Sequence, residues 1–169
     1  MNIIEAIYKR RSIRKFQNRV VNDEAIKKLL ECAMAAPSAK NKAPWEFYVI
    51  KNKEIQDKIK ASSKAYNYNS SLLIVVASNL NNAISRELND FWIQDCSAAI
   101  ENILLCATDL GLGTCWCGIY PVKERVENIT KILNLNDDII PLGLIQVGYP
   151  DETKDSRTQY DENKVHYIC

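Results

Sequence analysis

The 169-residue sequence contains a single histidine, His166, near its end. That scarcity removes several chemistries at once. A Ser–His or Cys–His nucleophilic pair is not readable, and no H-E-x-x-H, P-loop or EF-hand pattern occurs. A structural zinc site wants four ligands at recognisable spacing, whereas Cys115 and Cys117 form one C-x-C pair with no second pair beside it. Excess charge is missing too: 22 basic and 21 acidic residues leave a net charge of +1, so nucleic acid is not an expected partner and any anion must be recognised locally. Long hydrophobic runs are also absent. The longest, "LLIVVA" at 72–77, is far too short to span a bilayer, and the N-terminus lacks the uninterrupted apolar core of a signal peptide. A soluble, cytoplasmic protein without membrane association is expected, its six cysteines kept reduced. No linker-like stretch or repeat divides the chain, which reads as one domain over residues 1–169. With side-chain chemistry so poorly supplied, a bound cofactor is the expected carrier of any reaction.

What is present is a mixture of helical and extended periodicities. "IIEAIYKR" reads as a short helix with Ile3, Ile4 and Ile7 on one face. Asn22 is placed to cap a helix from Asp23 to about Ala36, which Pro37 ends. Residues 45–51 read as a strand, 53–63 as a polar surface helix and 72–78 as a strand buried on both faces. From about 90 to 110, apolar and small residues lie on nearly every side of a long helix, which suits a core or a subunit interface. Residues 111–121 follow as a helix end and an extended piece, "VKERVENITKIL" is amphipathic, and 139–150 is the last strong strand. Elements of both kinds without strict alternation give an α+β class, loosely α/β.

Three stretches hold chemistry. In "RRSIRKF" (10–16), an extended backbone puts Arg10, Ser12 and Arg14 on one side and Arg11 and Ile13 on the other. Two guanidinium forks with a hydroxyl between them suit a phosphate, although the same cations also complement the C-terminal end of the preceding helix. "APSAKNKAPW" (36–45) reads either as a proline-punctuated loop with local turn bonds or as a loop whose Ser38 and Asn41 hold a polar chain such as a ribityl. In "GLGTCWCGIYP" the glycines follow a helix and precede an extended piece, the reverse of a dinucleotide fingerprint, so a Rossmann reading is rejected. Gly118 would instead let backbone amides approach a flat ring, while Trp116 reads as packing and the Cys117 thiol as a small apolar filler. Lys154 and Arg157 read as a solvated tail, or as a segment that returns Arg157 to Arg10.

Four segments in this order, "IYKRRSIRKF", "AAPSAKNKAPWEFYVI", "GLGTCWCGIYP" and "GLIQVGYP" with a following "KDSR", resemble the nitroreductase family of FMN-dependent oxidoreductases over residues 3–157. The resemblance implies a central mixed, mainly antiparallel sheet flanked by helices, in a homodimer with FMN at the subunit interface. It implies that Arg10, Arg11, Ser12 and Arg157 bind the FMN phosphate and that Arg14 reaches the pyrimidine edge, where it stabilises reduced flavin. Pro37, Ser38, Ala39 and Asn41 would approach from the partner subunit, with Ala39 standing where many relatives have serine. The backbone at Cys117 and Gly118 would lie beside flavin N5, with the Cys117 amide pointing toward it. A further polar contact from Lys64, Asn67 or Asn69 stays unassigned. The implied activity is hydride uptake from NADH or NADPH and ping-pong transfer to a small organic acceptor such as a nitroaromatic or a quinone. The alternative is a flavin-binding redox sensor with little turnover that uses Cys115 and Cys117.

Overall fold

Asparagine side chains start three of the helices. In the computed structural model, which describes residues 1–84 and 90–169, Asn2 caps α1 (Ile3–Lys9) by accepting from the Glu5 amide at 2.9 Å. Asn22 caps α2 (Asp23–Met34) through Ala25 at 2.8 Å, and Asn52 caps α3 (Lys53–Ala61) through Ile55 at 3.0 Å. Each cap satisfies an amide that the helix cannot, worth about 1 kcal/mol. Two further helices, α4 (Phe91–Asp109) and α5 (Lys123–Leu133), surround a sheet of β1 (Trp45–Ile50), β2 (Leu72–Asn79), β3 (Gly113–Gly118) and β4 (Ile139–Gly148). The strand order is β1-β2-β4-β3, antiparallel throughout. The expected mixed sheet thus resolves into four antiparallel strands. Its parallel component among the described residues is an isolated bridge from Ser12 to Thr114.

β2 is central and buried on both faces, as its unbroken apolar run predicts. Leu72, Ile74 and Val76 face a core shared with α2 and α4, while Leu73 and Val75 face the opposite cluster with Ile59 of α3 and Ile129 of α5. Pro141 sits in β4 opposite Ala77, at a bulge in the β2–β4 register, where a missing amide is tolerated. Gly143 makes room for an indole: a Cβ there would lie 2.4 Å from Trp116 Nε1. β3 forms the sheet edge nearest the arginine segment.

The long helix α4 buries Trp92, Asp95, Cys96, Ala99, Ile100, Ile103, Leu104 and Ala107 within its own chain. Its apolar character therefore serves the monomer core first. The face of α1 behaves differently. Ala6 is the residue this helix buries, whereas Ile3, Ile4 and Ile7 are 63%, 59% and 50% exposed, so the isoleucine stripe points away from the core.

Candidate functional site

The arginine-rich segment is held by the tail that returns along it. Gln17 N donates to Tyr149 O at 2.9 Å, Asp151 N to Lys15 O at 2.9 Å and Arg157 N to Tyr8 O at 3.1 Å. Between these, the Arg11 guanidinium donates to Asp155 O. Pairing in descending order brings the backbone of Arg157 back to Tyr8 near the end of α1. The Glu152 carboxylate takes the Arg14 amide at 2.5 Å and the Lys15 amide at 3.2 Å, and it lies 3.4 Å from the Lys154 ammonium. These contacts, the Arg14 amide foremost, hold the Glu152 carboxyl below its ordinary value. On the other side, Ile13 N donates to Thr114 O at 2.8 Å and fixes the segment against the free edge of β3.

The side chains then divide. Arg10 lies 3.6 Å from Glu101 on α4, whose carboxyl is pushed up by burial and drawn partly back by Arg10. Arg14, four residues on and about 13 Å away in an extended chain, is exposed. It engages the Tyr68 hydroxyl and faces Cys115 and Cys117, and these contacts raise its guanidinium further. Asn69 spends both ends of its amide on Phe16, accepting from its N–H at 3.0 Å and donating to its carbonyl at 2.6 Å. Of the three unassigned polar residues, Asn69 is thereby committed to locking the segment, while Lys64 and Asn67 are exposed.

The end of β3 is open. Tyr66 Oη at 3.3 Å and the Arg125 guanidinium at 2.8 Å donate to Gly118 O. A Cβ at Gly118 would meet nothing within 4 Å, and the residue borders a cavity of about 450 Å³ lined also by Ile93, Trp116, Tyr120 and Leu142. Strand alternation matters here. Because Thr114 turns its carbonyl outward to Ile13, Cys117 sits in the ladder opposite Leu144 and the Gly118 amide lies on the free edge. A flat ring against this edge would find an open face and an outward amide at Gly118, which is a fit for a flavin.

The third predicted stretch lies elsewhere in the chain. Pro37 and Asn41 are exposed, Ser38 and Ala39 half-buried. Lys40, Asn41 and Ala43 all take positive φ, 49°, 53° and 47°, a conformation that costs non-glycine residues about 1–2 kcal/mol each. Two contacts hold it: Ser38 Oγ accepts from Ala43 N at 2.8 Å, and the buried Asp95 carboxylate accepts from Ala39 N at 2.8 Å. Among the described residues, no hydrogen bond or ion pair joins this loop to the arginine segment. Asp95 and Tyr68 were not singled out from sequence. Asp95 had a readable signal, a carboxylate between Trp92, Cys96 and Ala99 on the apolar stripe; Tyr68 had none. Asp95→Ala should strand the Ala39 amide and lower stability by about 1–3 kcal/mol. Asp95→Asn, which keeps an acceptor, should recover most of this in a thermal melt; equal losses would show that the hydrogen bond is not what holds the loop.

Comparison with known proteins identifies the family. The nitroreductase family model matches residues 7–69 and 68–149. The chain belongs to the nitroreductase family. A protein of Methanothermobacter thermautotrophicus, provisionally named NADH dehydrogenase/NAD(P)H nitroreductase, is 40% identical over 98% of this chain and 86% of its own. The FMN-dependent nitroreductase of Clostridium difficile R20291 superposes with a TM-score of 0.87 at 32% identity, covering 97% of this chain and 98% of its own. A nitroreductase from Desulfovibrio desulfuricans, solved in complex with FMN, gives 0.84 at 26% identity over 100% and 98%. Among the described residues of this nitroreductase, no helix is long and apolar enough to cross a membrane.

Proposed function

We propose that this chain is an FMN-dependent oxidoreductase that draws on NADH or NADPH and serves a small organic acceptor, a nitroaromatic or a quinone, by a ping-pong scheme. The observation that carries the reading is the open end of β3 at Gly118, whose Cβ position is empty and whose amide lies on the free edge. When bound, FMN supplies the redox chemistry, accepting a hydride from the nicotinamide and passing electrons on. The chain binds and biases it. Arg10, Arg11, Ser12 and Arg157 hold the phosphate through charge-assisted bonds, and about 13 Å of extended chain suits the reach from there to the ring. Arg14 places positive charge at the pyrimidine edge, which favours the reduced, anionic form. The Gly118 amide, next to Cys117, is the donor on the ring side.

The loop of Pro37, Ser38, Ala39 and Asn41 completes the site from a second copy. Two features support a homodimer: this loop is organised without touching its own chain's arginine segment, and α1 exposes Ile3, Ile4 and Ile7. An uncovered stripe of that kind favours a partner surface. Sedimentation of the FMN-loaded protein at low micromolar concentration should give a dimer with one FMN per chain. A flavin-loaded monomer would contradict the shared site.

Initial-rate kinetics test the scheme as a whole. Varying NAD(P)H at several fixed concentrations of a quinone should give parallel double-reciprocal lines. Intersecting lines would exclude ping-pong transfer. Tight FMN binding with negligible turnover would favour the redox-sensing reading instead.

A further inference from the structure

A cavity of about 650 Å³ lies between α3, the residues leading into β2 and the stretch 17–23, and Arg10, Arg14 and Gly118 are not among the residues that line it. A space of that size holds a small organic molecule. Lys53, Gln56 and Lys60 stand at i, i+3 and i+7 of α3, so one stripe of the helix borders it. Gln56 is 3% exposed, and its amide nitrogen spends both N–H groups, on Ile50 O at 2.8 Å and on Ser71 O at 3.1 Å. Its Oε1 accepts no hydrogen bond among the described residues. Ser71 lines the same cavity, and its buried hydroxyl has no partner among them either. Buried polar atoms are normally paired, and two left open beside one cavity point to a ligand.

The charges around the cavity divide unequally. Lys51 pairs with Asp23 and Lys53 with Asp57 at the exposed rim. Lys60 is half-buried and makes no ion pair among the described residues; its ammonium donates to Ser70 O at 2.9 Å. That leaves two of its three N–H donors for a ligand. Burial first, then the Lys53 charge, draws this ammonium below its ordinary value against the pull of Asp57. An anion beside Lys60 would offset both effects. Val20, 79% exposed, adds an apolar wall that a carbon chain can use and an inorganic ion cannot.

We propose that this cavity binds a small organic anion that also carries a hydroxyl: its charged oxygens accept from Lys60, its hydroxyl donates to Gln56 Oε1, and its carbon chain lies against Val20. Gln56 Oε1 can only accept, so the hydroxyl is what separates this ligand from a bare anion. Residues four apart on a helix begin about 5–6 Å apart, which sets the hydroxyl one or two carbons from the anionic group. A carboxylate and a phosphate ester offer the same kind of oxygen to an ammonium, which acts as a point charge toward either. The site is separate from the flavin reading and does not rest on it.

The test is calorimetric titration of the protein with FMN at saturation, which keeps a phosphate ester away from the arginine segment. Malate and glycerol phosphate are the probes, beside succinate and propyl phosphate, which lack the hydroxyl. At least one hydroxylated probe should bind saturably, one per chain, and several-fold more tightly than its counterpart; the pair that shows this identifies the source of the charge. Lys60→Met keeps the stem, removes the ammonium and should weaken binding about tenfold or more, while Lys60→Arg should stay within a few-fold of the native chain. Lys53→Met, at the exposed rim, should give a smaller loss in the same direction and keeps the test decisive if Lys60→Met fails to fold. No saturable binding of either hydroxylated probe at millimolar concentration would overturn the proposal. So would native affinity in Lys60→Met, or counterparts that bind as tightly as the hydroxylated probes.

Discussion

Gly118→Val should leave the protein folded and cost it about a hundredfold in FMN affinity, close to 2.8 kcal/mol. The prediction turns on what stands beside this residue. Within the chain a Cβ at 118 meets nothing within 4 Å, so the added side chain has room. Valine also suits a strand, and its branched side chain should cost the melting temperature little. On the proposed placement the same space belongs to the ring in the FMN-bound protein, and a rigid branched side chain cannot move out of its way. Titration of flavin fluorescence against the variant, paired with a thermal melt of the FMN-free protein, separates the two effects. An FMN affinity within a few-fold of the native value would place the ring elsewhere. A large loss of stability would show that the open face is occupied by protein.

Arg10→Ala should weaken FMN binding by about 1.5–3 kcal/mol, an order of magnitude or more, while leaving riboflavin affinity nearly unchanged. The contrast isolates the phosphate, the sole group that distinguishes the two ligands. Arg10 also faces Glu101 at 3.6 Å, so its loss leaves a half-buried carboxylate without its cation. Arg10→Ala combined with Glu101→Gln removes that complication: stability should return and FMN affinity should not. Equal losses for FMN and riboflavin would remove Arg10 from the phosphate site, as would recovery of FMN binding in the double variant.

Elements with strong local signals were legible. Asn22 and Asn52 lie directly before two of the helices, "LLIVVA" became the central strand, and the periodic segment after residue 90 became α4. The destination of an apolar face was harder to read. Ile3, Ile4 and Ile7 recur at helical spacing whether they meet their own core or a second chain, and it is Ala6 that turns inward. The environment of the C-x-C pair was not legible either. Nothing near residue 117 in sequence is basic until Lys123, and the cations that act on the pair arrive from Arg14, Lys154 and Arg125 through strand pairing and the tail's return. Reading Cys117 as apolar filler matches its burial. Backbone direction was a further hidden quantity: motif matching pointed the Cys117 amide toward the flavin, whereas strand pairing places Cys117 in the ladder and leaves the Gly118 amide on the free edge. Positive φ at Lys40, Asn41 and Ala43 had no sequence signal, since none of them is glycine.

The most direct measurement is the visible spectrum of the FMN-loaded protein, taken without oxygen before and after addition of NADH or NADPH. The account predicts a yellow protein with one FMN per chain, bleached completely by one equivalent of at least one nicotinamide and restored by a quinone. A protein that binds no FMN, or one whose bound FMN neither nicotinamide reduces, would contradict it.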